Sequence, residues 1–219
     1  MYVCKLLNER SMTKLIRSSI LAGIAIGCGG FGYLASGIQA ENFGPLFGSI
    51  LFCFGLMTVV SYKLALYTGT AGFIKKNEVG MLFTVLGGNI IGCMLMGLAS
   101  RLSPLDIQTA AGNVLKLRHE LGALRCGLLG IPCGFMMTTA VTFARKQQYL
   151  PLLLAVPLFI VCGFTHCIAD AFYYSCVPFE YIKDHAVQTL IVYISIVLGN
   201  LIGCNLYRII LPAEKVKEI

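Results

Sequence analysis

Gly88-Asn89-Ile90-Ile91-Gly92-Cys93 recurs later in the chain as Gly199-Asn200-Leu201-Ile202-Gly203-Cys204. The offset is 199 − 88 = 111 residues, about half of the 219. Each copy lies in a long apolar stretch, so the chain reads as two related halves. Small residues there let helix backbones approach closely, where apolar surface alone gives helices no drive to associate in lipid. Asn89 and Asn200 are expected to be structural, bonding between helices or to free backbone groups rather than touching a solute.

Working outward from the repeat, a membrane-crossing helix needs roughly 20 apolar residues. Stretches 16–38, 43–61, 81–102, 121–143, 150–176 and 186–211 meet that need. With 57% hydrophobic and 12% charged residues, the composition is that of a polytopic membrane protein. The reading is a single transmembrane domain over residues 1–219, not a leader followed by a globular body. Residues 1–15 form a cytoplasmic N-terminal segment and 212–219 a cytoplasmic tail. Three spans per half is an odd number, so the halves must be inverted with respect to one another.

The net charge of +7 is no nucleic-acid signature, because the basic residues cluster at span ends. With the N-terminus inside, eleven lie on the inner face: Lys5, Arg10, Lys14, Arg17, Lys75, Lys76, Arg145, Lys146, Arg208, Lys215 and Lys217. Four lie outside: Arg101, Lys116, Arg118 and Lys183. That bias satisfies the positive-inside rule and puts both termini in the cytoplasm. The ten cysteines show no Cys-x-x-Cys pair and no spacing to histidine suited to zinc. They read as small packing residues, and no metal or cofactor is expected.

Two spans are interrupted. After residue 61 come Tyr62-Lys63-Leu64-Ala65-Leu66-Tyr67-Thr68-Gly69-Thr70-Ala71-Gly72, polar and glycine-rich where hydrocarbon should continue. Irregular backbone at that depth is tolerated only inside protein or beside a cavity, so the second span reads as a broken helix with 66–70 as its loop. The fifth stretch has Pro151, Pro157 and Gly163 before Thr165-His166-Cys167-Ile168-Ala169-Asp170. Paired interruptions in corresponding halves point to a solute site near the midplane.

An ionisable group at membrane depth usually faces a bundle interior or a water-filled path. His166 and Asp170, four apart, share a helix face; they either satisfy one another or line a route. Thr68 supplies a hydroxyl and His166 a group that titrates near neutrality. Superposing the halves brings the two together. Phe52, Leu56, Tyr67, Met137 and Phe159 are candidates for apolar constrictions. Arg118, Lys116 and His119 are placed just before the fourth span, as a vestibule that concentrates anions or as anchors for lipid headgroups. Lys63 either holds an anion or snorkels.

Several of these motifs, in order, resemble the formate/nitrite transporter family of pentameric membrane channels. They are Gly55-Leu56 with Leu66-Tyr67-Thr68-Gly69, Gly88-Asn89-x-x-Gly92, Gly130-Ile131-x-Cys133, Gly163-Phe164-x-His166 with Ala169, and Gly199-Asn200-x-x-Gly203. The resemblance implies an all-α, aquaporin-like protomer. It would have six transmembrane helices in two inverted three-helix repeats, the second and fifth broken, and assemble as a homopentamer. It also implies that His166 is the central pore histidine, Thr68 the loop threonine and Arg118 the vestibule cation. The five bulky residues fall on its constriction positions. Thr165, beside His166, stands where many members have glutamate, Gly134 where many have asparagine beside the pore, and Asp170 where asparagine is usual.

The function expected is passage of a small monovalent weak-acid anion (formate, nitrite, hydrosulfide or lactate) with a proton, across an inner or plasma membrane and in contact with its lipid. Alternatives are a neutral-solute channel for water, ammonia or glycerol, against which the absence of paired Asn-Pro-Ala loops argues, and an intramembrane enzyme. The chain has no His-Glu-x-x-His run, paired catalytic carboxylates or serine–histidine arrangement, so no enzyme is expected.

Overall fold

The computed structural model describes residues 12–40, 42–75 and 78–211. The tail at 212–219, most of 1–15, and Lys76 lie outside them. Among the described residues all regular structure is helical. In chain order the helices are α1 (Met12–Gln39), α2 (Gly44–Ser61), α3 (Tyr67–Thr70), α4 (Val79–Ser100), α5 (Ile107–Arg145), α6 (Leu150–Val161), α7 (Cys167–Cys176), α8 (Phe179–Asp184), α9 (Ala186–Cys204) and α10 (Leu206–Ile210). Helices α1, α2, α4, α5 and α9 are long and apolar enough to cross a membrane, and α6 is a shorter apolar helix. Large side chains such as Phe54, Phe83, Leu124, Leu154 and Ile191 are exposed on their outward faces, as helices bathed in hydrocarbon require.

Packing follows the sequence repeat. Helix α1 packs on α2 and α4, and α5 packs in the same way on α6 and α9. A Cβ on Gly92 would collide with the Ile20 carbonyl, and one on Gly203 with the Ile131 carbonyl. The partners are 131 − 20 = 111 apart, the same offset as the motif. Only glycine permits these two close crossings.

The fourth stretch departs from the sequence reading. Instead of a span from 121, α5 begins at Ile107 with Asp106 accepting from the Thr109 N–H at 3.1 Å, a side-chain cap for an unpaired donor. Its first arm ends at Gly122, whose φ of 76° and ψ of 168° break the helical path. Arg118 and His119 therefore belong to a buried helical arm, not a loop before the span. Polar residues scattered through 107–121 disguised that arm. The break at Gly122 frees the Arg118 carbonyl, and the Cys126 thiol donates to it at 3.3 Å.

Candidate functional site

The two interruptions have the same backbone design. After α2, Lys63 N–H bonds Val60 O and Leu64 N–H bonds Val59 O; after α6, Gly163 N–H bonds Ile160 O and Phe164 N–H bonds Phe159 O. The offset between these loops is 163 − 63 = 100 residues. Both turns use a left-handed residue, Lys63 at φ 53° and Gly163 at φ 70°, the usual way to end a helix. The irregular stretch covers 62–66, and Tyr67–Thr70 is already a helical turn. The expected loop at 66–70 is thus displaced by a few residues.

Each Gly-Asn-x-x-Gly-Cys motif serves both breaks. Asn89 Nδ2 donates to Ala65 O at 2.9 Å and to Ser19 O at 2.7 Å, while its Oδ1 accepts from Tyr67 N–H at 2.8 Å. Asn200 Nδ2 donates to Thr165 O and Gly130 O, both at 2.9 Å, and its Oδ1 accepts from Cys167 N–H at 2.9 Å. The groups at the breaks, Ala65 O, Tyr67 N–H, Thr165 O and Cys167 N–H, lie outside a helix or at its first residue, and leaving such a group unpaired in a buried place costs about 1–3 kcal/mol. The cysteines reach across to the opposite half: Cys93 Sγ donates to Ile168 O and Cys204 Sγ to Thr68 O, both at 3.3 Å. The two asparagines thus make equivalent sets of bonds, one at each break. The cysteines do more than pack, a role the sequence signalled only through their fixed place in the repeat.

At the meeting point Thr68 Oγ1 lies 3.0 Å from His166 Nε2. Thr68 and Thr165 are 0% exposed and His166 2%. His166 is the N-cap of α7, with Nδ1 accepting from Ala169 N–H at 3.1 Å. Nδ1 is therefore unprotonated, and the neutral ring carries its hydrogen on Nε2, donating to Thr68. The Phe159 ring sits 5.7 Å from the imidazole and 6.0 Å from the Phe52 ring, edge to face. Leu56, Tyr67 and Met137 are buried as well, and the Tyr67 hydroxyl donates to Val197 O at 3.2 Å.

Other expectations are corrected. Asp170 does not pair with His166: its Oδ1 accepts from Arg118 Nε at 3.1 Å, an ion pair with the carboxylate fully buried. The Thr165 hydroxyl donates to Cys126 O at 2.7 Å and fastens the loop before α7 to α5. Gly134 lies against α9, where a Cβ would strike the Asn200 carbonyl, so this position is a helix crossing. Lys116 is exposed while Arg118, two residues on, is buried; the two do not form one basic cluster. Lys63 is exposed at the turn.

Sequence reading missed Arg145, counting it only among the inner-face charges. Its Nη2 donates to Gly69 O at 3.2 Å and its guanidinium stacks 4.0 Å over the Phe73 ring. Arg208 Nη1 similarly donates to Ile74 O at 2.7 Å, and Asn205 Nδ2 to Ala71 O at 3.1 Å. It also missed a cluster around His119, whose ring stacks on Tyr181 and His185 at 5.9 and 5.5 Å between centroids. Nothing short-range in the sequence marks either arrangement.

A sequence profile described as formate/nitrite transporter matches residues 5–212. This chain belongs to the formate/nitrite transporter family. Among solved structures, the transporter is similar to one described as a pentameric formate channel with formate bound, at 23% identity and TM-score 0.77, covering 90% of this chain and 94% of that one. It is also similar to an FNT family ion channel, at 19% identity and TM-score 0.75, covering 89% and 87%. No curated protein matches the sequence. At these identities the structural likeness speaks for the fold, and the profile for the family.

Proposed function

We propose that this transporter passes small monovalent anions of weak acids, of the formate, nitrite, hydrosulfide or lactate class, together with a proton. In this reading six spans form two inverted repeats with the second and fifth interrupted, as in an aquaporin protomer. Five protomers assemble in an inner or plasma membrane with both termini in the cytoplasm. The pentamer rests on the similar formate channel, described as pentameric.

The observation that carries the reading is the buried Thr68–His166 contact at 3.0 Å beside the Phe52–Phe159 pair. Moving a bare anion past such apolar walls is costly unless it is paired or neutralised. Nε2–H and the Thr68 hydroxyl are the polar groups at hand, and both can donate. Because Nδ1 is committed to Ala169, the ring offers one hydrogen, on Nε2. That supports protonation of the solute by water polarised at the imidazole over direct transfer from a doubly protonated ring.

The test is isotope uptake into proteoliposomes at two pH values, wild type against His166→Leu. Loss of one charge-assisted hydrogen bond, about 1.5–3 kcal/mol, slows formate or nitrite uptake roughly 10- to 100-fold and flattens its pH profile. An unaltered rate and profile in the variant would retire the reading. Uptake of water, ammonia or glycerol in place of any weak acid would favour the neutral-solute channel.

A further inference from the structure

Arg118 and Asp170 come from different elements, one on the first arm of α5 and the other one helical turn past His166 on α7. Their side chains are 10% and 0% exposed, with a single contact at 3.1 Å. Asp170 Oδ2 is buried and has no hydrogen-bond partner among the described residues. An unpaired buried acceptor is destabilising, so packing alone does not account for this carboxylate. What the carboxylate does accomplish here is electrostatic: it cancels the charge of Arg118.

The other side of the centre differs. Arg145, from the far end of the same α5, reaches Gly69 beside Thr68 and has no carboxylate within ion-pair distance among the described residues. Its partners are a carbonyl and an aromatic face, which leave its charge uncancelled. An unneutralised cation concentrates anions nearby, whereas a tight ion pair presents little net field.

We propose that Asp170 is a specificity-determining residue. By pairing with Arg118 it removes anion recruitment on the α7 side of His166, so that this side discriminates against permanent anions and favours the solute in its neutral form. The proposal rests on the weak-acid reading above. It assigns Asp170 a role by cancelling an attraction, a discriminating element of the kind that specificity often requires.

The experiment is formate uptake into proteoliposomes at one pH and constant ionic strength, with nitrate, the anion of a strong acid, as competitor. Wild type takes up formate and is not inhibited by nitrate. Asp170→Asn frees the Arg118 charge, so the formate KM falls several-fold and nitrate becomes a competitor. Arg118→Gln combined with Asp170→Asn has no charge at either place, and nitrate competition disappears again. Nitrate competing equally in wild type and Asp170→Asn overturns the proposal, as does a single variant with KM and nitrate response unaltered. Where Asp170→Asn does not assemble because it strands a buried cation, the double variant decides alone. Continued exclusion of nitrate supports the proposal, and a tenfold rise in formate KM, the mark of a lost anion-recruiting arginine, overturns it. Wild-type vesicles that take up no weak acid refute the parent reading before any variant is compared.

Discussion

The two interruptions share a backbone scaffold but place different residues on it. Residue 65 corresponds to 165, 67 to 167 and 63 to 163, each pair 100 apart, and asparagines 111 apart tie both. At the station that begins the resumed helix, the first half has Leu66 and the second has His166, both with extended backbone. Leucine has no acceptor with which to cap, and α3 lasts four residues; histidine caps Ala169, and α7 runs for ten. The same backbone frame thus occurs twice, and only one copy places a histidine on it. Thr68 and His166 are not symmetry mates: the counterpart of Thr68 is Ile168.

If the frame is shared, its two asparagines should matter equally. Asn89→Ala and Asn200→Ala each abandon three hydrogen bonds and leave buried backbone groups unsatisfied. Each is expected to destabilise by on the order of 3 kcal/mol or more, read as lost thermal stability and poor recovery in detergent. A large drop in only one of them would break the equivalence of the halves.

The frame was legible because it is written in short-range terms: six residues repeated, glycines at helix crossings, and Gly163 where α6 stops. The pairing of Thr68 with His166 followed from superposing the halves. The partner of Asp170 did not, because i, i+4 spacing pointed to His166, while Arg118 lies 52 positions away across a helix arm that looked like loop. Arg145 and the His119 cluster were hidden for the same reason. They depend on tertiary approach between α5 and distant elements, which no local pattern encodes.

A smaller effect concerns how the short copy survives without a cap. Arg145 donates to Gly69 O and covers Phe73, holding the uncapped α3 from outside where His166 holds α7 from within. Arg145→Gln keeps polarity but loses the cation–aromatic contact and weakens the bond to the carbonyl. A loss of about 1–2 kcal/mol is expected, measured by chemical unfolding in detergent. Hydrogen exchange should rise at Thr70 and Ala71 while the amides of α7 stay protected. Equal loosening of both segments would mean that the arginine supports the whole bundle rather than the one copy.

The finest difference is at the turn residue itself. Gly163 and Lys63 occupy the same left-handed station, at φ 70° and 53°. A Cβ at Gly163 would meet nothing within 4 Å, so Gly163→Ala isolates the backbone cost of a side chain there, about 1 kcal/mol. The reverse change, Lys63→Gly, relieves a similar strain but adds the freedom that glycine loses on folding, about 0.5–1 kcal/mol. The two backbone terms nearly cancel, so the unfolding midpoint should fall only by the small amount that the exposed Lys63 side chain contributes through its own contacts. The halves should therefore respond unequally to changes at one shared station: destabilised by alanine in the second, almost indifferent to glycine in the first. A Lys63→Gly variant stabilised as much as Gly163→Ala is destabilised would show that the lysine is held there against its backbone preference, and that its side chain contributes nothing to stability in return.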